Sequence, residues 1–330
     1  MENIIGKTPM IQIKYKYQGN QRYIYAKLEA FNMTGSIKDR MANYIIERAK
    51  QRKELKPGQA IVEATSGNTG ISLSAIGAKE NHPVYIFMPN WVSEERVKIM
   101  ESYGATVKLF SAQQGGFRRC IQEAQYYASK INGFYVNQFA NRDNVMAHYQ
   151  TTGLEILEQV HEPIGGFVSG IGTGGTLMGV GRRLKKQDPS IVLAAIEPDK
   201  MPLLSKNRAI GQHKIEGIGD DFIPEIVVRN MIDTVIVIND DDAVNMARLL
   251  AKKLGLGVGI SSGANFLGAV ILREKIDLPV VTVFPDDNKK YLSTDLAKNV
   301  DNSEGMISNH VELVPWTLGT FFKVHRNSNN

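Results

Sequence analysis

The chain has 330 residues, 43% hydrophobic and 22% charged, the proportions of an ordinary soluble globular protein, which disfavours disordered and membrane-embedded classes. Its net charge of +5 is modest, and its lysines and arginines are scattered along helices such as "IIERAKQRKELK" rather than gathered into a basic footprint for nucleic acid. Cys120 is the single cysteine, so neither a disulfide framework nor a cysteine-based metal cluster is expected; with no targeting pattern in "MENIIGKTPM" and no apolar run of membrane-spanning length, the expected location is a reducing cytoplasm.

After a short lead, residues 23–30 ("YIYAKLEA") are rich in β-formers, and 39–55 ("DRMANYIIERAKQRKEL") carry apolar residues at helical spacing. Between them, "TGSIKDR" sets Lys38 directly after a small polar turn and directly before the helix. These residues alone leave Lys38 with two readings, the first charge of a solvated helix or an amine placed for chemistry. The strand, turn, helix unit then recurs. Strands are expected at 60–65, 83–89, 106–110, 134–139, 165–172, 191–198, 234–238 and 279–285, with helical patterns after most of them, including one continuous stretch "NVMAHYQTTGLEILEQV". Strands apolar on both faces that alternate with helices predict an α/β protein with mostly parallel sheets covered on both sides. Ligands in such sheets bind at the carboxyl ends of the strands.

Three loops at such ends stand out. "TSGNTG" (65–70) joins two glycines to the donors Thr65, Ser66, Asn68 and Thr69 beside a helix start, a place suited to a carboxylate. A capping turn needs one such side chain, not four. "GIGTGGT" (170–176) lacks a P-loop lysine and fits the dinucleotide fingerprint poorly, but it offers a nest of N–H groups and two hydroxyls at the positive end of a helix, which suits a single phosphate. "VGISSGAN" (258–265) supplies a serine that either caps its helix or meets a ring nitrogen. A lysine, a phosphate nest, a carboxylate loop and a hydroxyl for a heteroatom together describe a pyridoxal phosphate site.

In their order along the chain, "IGKTP", "GSIKDR", "EATSGNTG", "NQFAN", "GIGTGGT", "EGIG", "GISSGA" and "PDDNKKYLST" span residues 5–294, and they resemble the cysteine synthase and cystathionine β-synthase group of fold-type II pyridoxal-phosphate enzymes. The resemblance is nearest to cysteine synthases of the O-acetylserine sulfhydrylase kind, while "AHYQTTGLEI" and "DFIP" look more like cystathionine β-synthases. It implies a tryptophan synthase β-like fold of two three-layer αβα domains: a smaller, mobile substrate-loop domain over 40–145 and a larger cofactor-binding domain over 1–39 and 146–330.

The resemblance also implies roles. Lys38 would form the internal aldimine and move the α-proton, Asn68 would hold the cofactor's 3′-oxygen, and Gly172, Thr173, Gly174, Gly175 and Thr176 would cradle the phosphate. Ser261 would face the pyridine nitrogen. Thr65, Ser66, Gly67, Thr69, Gln138 and Gly217 would bind the amino-acid substrate. The implied reaction turns O-acetyl-L-serine and sulfide into L-cysteine and acetate through an α-aminoacrylate, in a homodimer. A second class of role is implied too, a binding platform for serine acetyltransferase.

One loop departs from the family pattern. Cysteine synthases usually carry small residues after this "GIG", and here the chain reads "GIGDDFIP" (217–224). A desolvated aspartate beside a like charge has a raised pKa and can serve as a general base. Asp220 or Asp221 is therefore a candidate to assist a thiol or water, with L-cysteine as donor, hydrogen sulfide as product, and serine, lanthionine or cystathionine formed. The solvated-surface reading of both aspartates stands beside it. No N-terminal Cys/His segment for haem is expected, and too little chain follows Leu292 for a regulatory module pair. The tail "WTLGTFFKVHRNSNN" is read either as packing on a neighbouring surface or as partly disordered.

Overall fold

The computed structural model describes residues 4–298 and 305–315; the tail from Trp316 lies outside them. The chain opens on an antiparallel hairpin, β1 (Met10–Tyr17) and β2 (Asn20–Leu28). Gln18 (φ +49°) and Gly19 (φ +80°) form its turn, the pair of positive φ angles that suits the twist of a two-residue hairpin. β1 falls in what the sequence presents only as a lead segment.

A first run of alternating elements follows: α1 (Lys38–Gln51), β3 (Ile61–Ala64), α2 (Asn68–Glu80), β4 (Val84–Pro89), α3 (Glu94–Ser102), β5 (Thr106–Phe110), α4 (Gly116–Lys130) and β6 (Phe134–Tyr135). The second run is α5 (Arg142–Gln150), α6 (Thr152–Gln159), β7 (Gly166–Gly170), α7 (Gly175–Gln187), β8 (Val192–Pro198), α8 (Leu203–Lys206), β9 (Thr234–Ile238), α9 (Asp240–Leu254), α10 (Ile260–Arg273), β10 (Val280–Phe284) and β11 (Glu312–Leu313).

The strands form two sheets. A 4-stranded sheet of order β5-β4-β3-β6 is parallel throughout, and a 7-stranded sheet of order β11-β1-β2-β10-β7-β8-β9 is parallel except where β1 meets β2 and β11. Each sheet has apolar clusters on both faces, the layering expected from strands such as "VVTVF" and "IVEA", which are buried at every position. α10 is buried all round except at Ile271, as a helix apolar on every side must be, and Gly263 lets α9 approach it: a Cβ there would stand 2.1 Å from the Ala243 carbonyl.

Two expected elements are shorter than the sequence suggests. The strand expected over 134–139 pairs only at Phe134–Tyr135, because Asn137 turns left-handed (φ +55°) and ends the ladder. The continuous helix expected after it breaks at Thr151 (φ −116°, ψ −76°), where the hydroxyl bonds back to the Ala147 carbonyl at 2.7 Å.

α1 is fixed to the body by buried charges. Arg40 binds Glu29 through Nε (2.6 Å) and Nη2 (2.9 Å), and Glu155 through Nη1 (2.6 Å) and Nη2 (2.8 Å), and it also donates to Thr8. Lys27 completes the group at 2.7 Å from Glu155. These cations hold Glu155 down to about 2 and lower Glu29 despite burial that pushes both up. Arg40→Met would leave Glu29 without its guanidinium partner inside the protein, with an expected loss of ~3–5 kcal/mol of unfolding free energy in a urea titration; a loss under ~1 kcal/mol would show that the network is not what anchors α1.

Candidate active site

Lys38 is the first residue of α1, held there by the "TGS" turn. Gly35 takes the left-handed conformation (φ +78°) with its carbonyl bonded to Lys290 Nζ, and Ile37 N donates to the Pro285 carbonyl at 2.8 Å. Asp39 accepts from Thr34 N and from Ser72 Oγ in α2, both at 2.6 Å. Lys38 itself is half-buried and lines a cavity. Burial lowers its pKa, Asp286 and Asp220 pull it back up, and Arg96 and Lys290 add to the lowering.

The cavity brings together most of the residues read from separate loops: Lys38, Asn68, Gly172, Thr173, Gly174, Thr176, Gly217 and Ser261 all line it. It lies where β7 and β10 end and where α2, α7 and α10 begin. Gly174 (φ +87°) turns the chain into α7, and a Cβ at Gly172 would stand 2.2 Å from the Gly217 carbonyl, so only glycine lets these two loops touch. Gly175 backs the cradle: a Cβ there would stand 1.9 Å from Asn144 Oδ1. Thr173 Oγ1 accepts from Asn144 Nδ2 (2.9 Å) and from Gly175 N (3.4 Å), which leaves its own proton to donate toward the cavity. Ser261 is 4% exposed at the start of α10.

The loop after β3 reaches the cavity through Asn68, while Thr65, Ser66, Gly67, Thr69 and Gln138 stand behind its lining. Gly67 N donates to Thr65 Oγ1 at 3.0 Å, and Thr69 Oγ1 donates to Gln138 Oε1 at 2.6 Å. Gln138 is locked in turn, donating from Nε2 to the Ala64 carbonyl (2.6 Å) and from its backbone N to Glu63 Oε2 (3.0 Å). Glu63 is fully buried without a cation beside it, and burial pushes it up to about 8, partly offset by backbone N–H bonds. Ser66 offers its carbonyl to Arg96 Nη1 at 3.0 Å.

The two aspartates of the departing loop diverge. Asp221 is exposed and turned outward, with Oδ2 2.6 Å from Arg118 Nε and its carbonyl accepting from Arg118 Nη2 at 2.8 Å. Asp220 is half-buried and lines an apolar recess with Ile171, Ile196, Leu204, Phe222 and Pro224. Burial and the neighbouring Asp221 charge raise Asp220 to about 7, against the pull of Lys38. Phe222 packs at 5.0 Å from Phe139 and 6.5 Å from Phe117.

Four contributors carry no role in the sequence reading. Arg96 lies in a segment read only as a helix; it is 1% exposed, contacts Ser66, pairs with Glu216 at 3.0 Å and caps the Tyr291 ring at 4.9 Å. His148 stands 3.4 Å from Thr176 Oγ1 and is kept neutral by burial beside Lys38 and Arg40. Asp286 and Tyr291 stand in "PDDNKKYLST", a motif whose only readable feature was its order among the others.

The residues present fit pyridoxal phosphate. The amine is desolvated, and the phosphate loop is a glycine cradle that side chains would fill.

The family model described as "Pyridoxal-phosphate dependent enzyme" matches residues 1–286. Cysteine synthase B of Campylobacter jejuni is 42% identical over 297 residues, spanning 90% of this chain and 97% of that protein. A cysteine synthase of Staphylococcus aureus is 39% identical over 296 residues, spanning 89% and 95%. The crystal structure of a hydrogen sulfide-producing enzyme from Fusobacterium nucleatum is similar at 47% identity and a TM-score of 0.92, with 95% of each chain covered.

Gly175→Ala tests the cradle. Its methyl group displaces Asn144 from Thr173, and the expected result is a folded protein whose dissociation constant for pyridoxal phosphate, measured by fluorescence titration of the cofactor-free form, is about tenfold higher. An unchanged constant would mean that this loop does not hold the phosphate.

Proposed function

Because this chain belongs to the pyridoxal-phosphate dependent enzymes, in their cysteine synthase group, we propose a division of labour among its own residues for a β-replacement on an L-serine derivative. The protein is a pyridoxal-phosphate dependent enzyme of the cysteine synthase type acting on small molecules. The observation that carries the reading is that Lys38, Asn68, Gly172, Thr173, Gly174, Thr176 and Ser261 line one cavity. When bound, the cofactor supplies an electron sink for negative charge at the substrate's Cα.

Gly172 to Thr176 hold the phosphate with backbone N–H groups and the Thr173 hydroxyl at the N-terminus of α7. Asn68 holds the ring oxygen, and Ser261 meets the ring nitrogen with a neutral hydroxyl. Thr65, Ser66, Gly67 and Thr69, with Gln138 behind them and Gly217 opposite, bind the substrate carboxylate and so orient Cα. Lys38 Nζ, whose pKa is lowered by burial, takes the proton from Cα. Departure of acetate from Cβ of O-acetyl-L-serine and entry of sulfide there gives L-cysteine. We further propose a cytoplasmic homodimer, with the substrate-loop domain at 40–145 closing on the carboxylate against 1–39 and 146–330.

A second reading is favoured by Asp220. A carboxylate raised to about 7 at the edge of an apolar recess is poised to exchange a proton with hydrosulfide, water or a thiol. The similar Fusobacterium nucleatum enzyme is hydrogen sulfide-producing. On this reading L-cysteine is the donor: hydrosulfide leaves Cβ as an anion, Asp220 takes a proton from the nucleophile that then bonds there, and that proton passes on to solvent. A platform role for serine acetyltransferase is a weaker alternative, since a scaffold requires neither the lysine nor the cradle.

The first experiment gives the cofactor-loaded protein L-cysteine alone and follows sulfide release. Rapid release identifies the second reading; no release, with acetate released from O-acetyl-L-serine plus sulfide, identifies the first; neither activity, with capture of serine acetyltransferase, identifies the platform. Lys38→Ala is expected to abolish both activities and the visible absorption of the bound cofactor. In the second reading, turnover rises with pH as Asp220 deprotonates, with a midpoint of about 7. Asp220→Asn should lose that rise and about 100-fold in rate, whereas Asp221→Asn, which removes the like charge, should move the midpoint to lower pH.

A further inference from the structure

Asn68 and Asp286 reach each other from the two sheets. Asn68 is the first residue of α2, which follows the 4-stranded sheet's β3, and Asp286 stands just past β10 of the 7-stranded sheet. Asn68 Nδ2 donates to Asp286 Oδ2 at 2.7 Å, and the Tyr291 hydroxyl donates to the same oxygen at 2.8 Å. Asp286 is 1% exposed and its Oδ1 has no hydrogen-bond partner. Tyr291 is equally buried, and burial together with the Asp286 charge pushes its phenol well above its ordinary range, so it remains a donor.

A primary amide carries two N–H groups and one oxygen fixed in a plane, and a carboxylate only accepts. Asp286 therefore selects Asn68 Nδ2 over Oδ1, and that one bond sets where the remaining N–H points. Without it, the amide is free to turn its oxygen toward the cavity, the wrong polarity for an anionic oxygen. Asn68 is also the residue at the wall shared with Lys38 and the phosphate cradle.

We propose that Asp286 is a positioning residue that holds the Asn68 amide with its second N–H directed at the ring oxygen of bound pyridoxal phosphate. This rests on the reading of Asn68 as the ligand of that oxygen. The ring oxygen lies beside the carbon that reacts with amines, so its hydrogen bonding alters the cofactor's visible absorption as well as its affinity. The same carboxylate is anchored by Tyr291, whose ring is capped by Arg96, the side chain that also binds Ser66 of the carboxylate loop. Ring-oxygen ligand and carboxylate loop thus share one buried support.

The test is a double-mutant cycle on the cofactor-loaded protein with Asn68→Ala, Asp286→Ser and the pair, read by the visible absorption band and by the cofactor dissociation constant. Serine lacks the reach of the carboxylate but keeps a polar atom for its neighbours. Each single variant is expected to change the band and weaken cofactor binding about tenfold, with the pair no worse than Asn68→Ala alone. Asp286→Asn, which keeps an accepting oxygen, should restore most of both readouts. Additive losses, a parent-like Asp286→Ser, or an Asp286→Asn no better than Asp286→Ser would overturn the proposal. A parent-like Asn68→Ala would instead overturn the reading of Asn68, and the proposal with it.

Discussion

The buried guanidinium of Arg40 clamps two carboxylates from distant parts of the chain, Glu29 just after β2 and Glu155 in α6, and the geometry of the cleft depends on it. Buried charges cost several kcal/mol each unless paired, and here two cations, Arg40 and Lys27, face two anions, so the group is neutral overall. Its bidentate contacts fix the rotation of α1 about its axis. Residues two apart on a helix point about 200° apart, so with Arg40 directed into the body Lys38 must face the other way, toward the cleft. Asp39, between them, is tied to Thr34 and Ser72. Three successive side chains thus serve the body, the neighbouring helix α2 and the cavity.

That placement decides the electrostatics of the amine. Lys38 loses hydration without gaining a bonded counter-ion; Asp286 and Asp220 oppose the loss only through space. Two cations, Arg96 and Lys290, lower its pKa further, while His148 nearby is held neutral by burial. The Asp286 carboxylate is occupied by two hydrogen-bond donors. A lysine so placed holds its proton weakly, and Asp220, raised to about 7, holds its own strongly for a carboxylate. The two groups are drawn toward each other in proton affinity, the direction that favours proton transfer at both.

The loops stood out in the sequence because glycine and hydroxyl residues at strand ends have few other uses; the stretches 65–70 and 170–176 needed no partner to be singled out. The strands 106–110 and 234–238 were readable to the residue, since short β-forming runs bounded by turns leave little choice. What lay beyond reach depends on pairing across the fold. β1 alternates tyrosine and isoleucine with lysine, a pattern completed only by β2 and β11. Arg96 sits in a charged helical run identical in appearance to a solvated face, and its burial arises only because Ser66, Glu216 and Tyr291 converge on it. The divergence of Asp220 and Asp221 had no sequence signal either, because it is set by Arg118 on α4, about a hundred residues away in the chain.

Arg96 and Arg118 also explain how binding can be linked to chemistry. Arg96 joins the carboxylate loop, through Ser66, to Glu216 at the start of the "EGIG" segment, and Arg118 joins α4 to Asp221 near its far end. Asp220 lies between those two attachments. Glycine at 217 (φ +90°) and 219 (φ +74°) gives the segment its bends, and Gly219 N fixes it to the Ile171 carbonyl at 2.9 Å. In the proposed function, a substrate carboxylate seated on the Thr65–Gly70 loop would be linked, through Arg96, to the segment that carries Asp220. Phe117, Phe139 and Phe222 pack on one another beside that segment. A β-replacement needs its intended nucleophile at an electrophilic Cβ, and a base tied to the loop that seats the substrate would meet that demand with contacts already present in the fold.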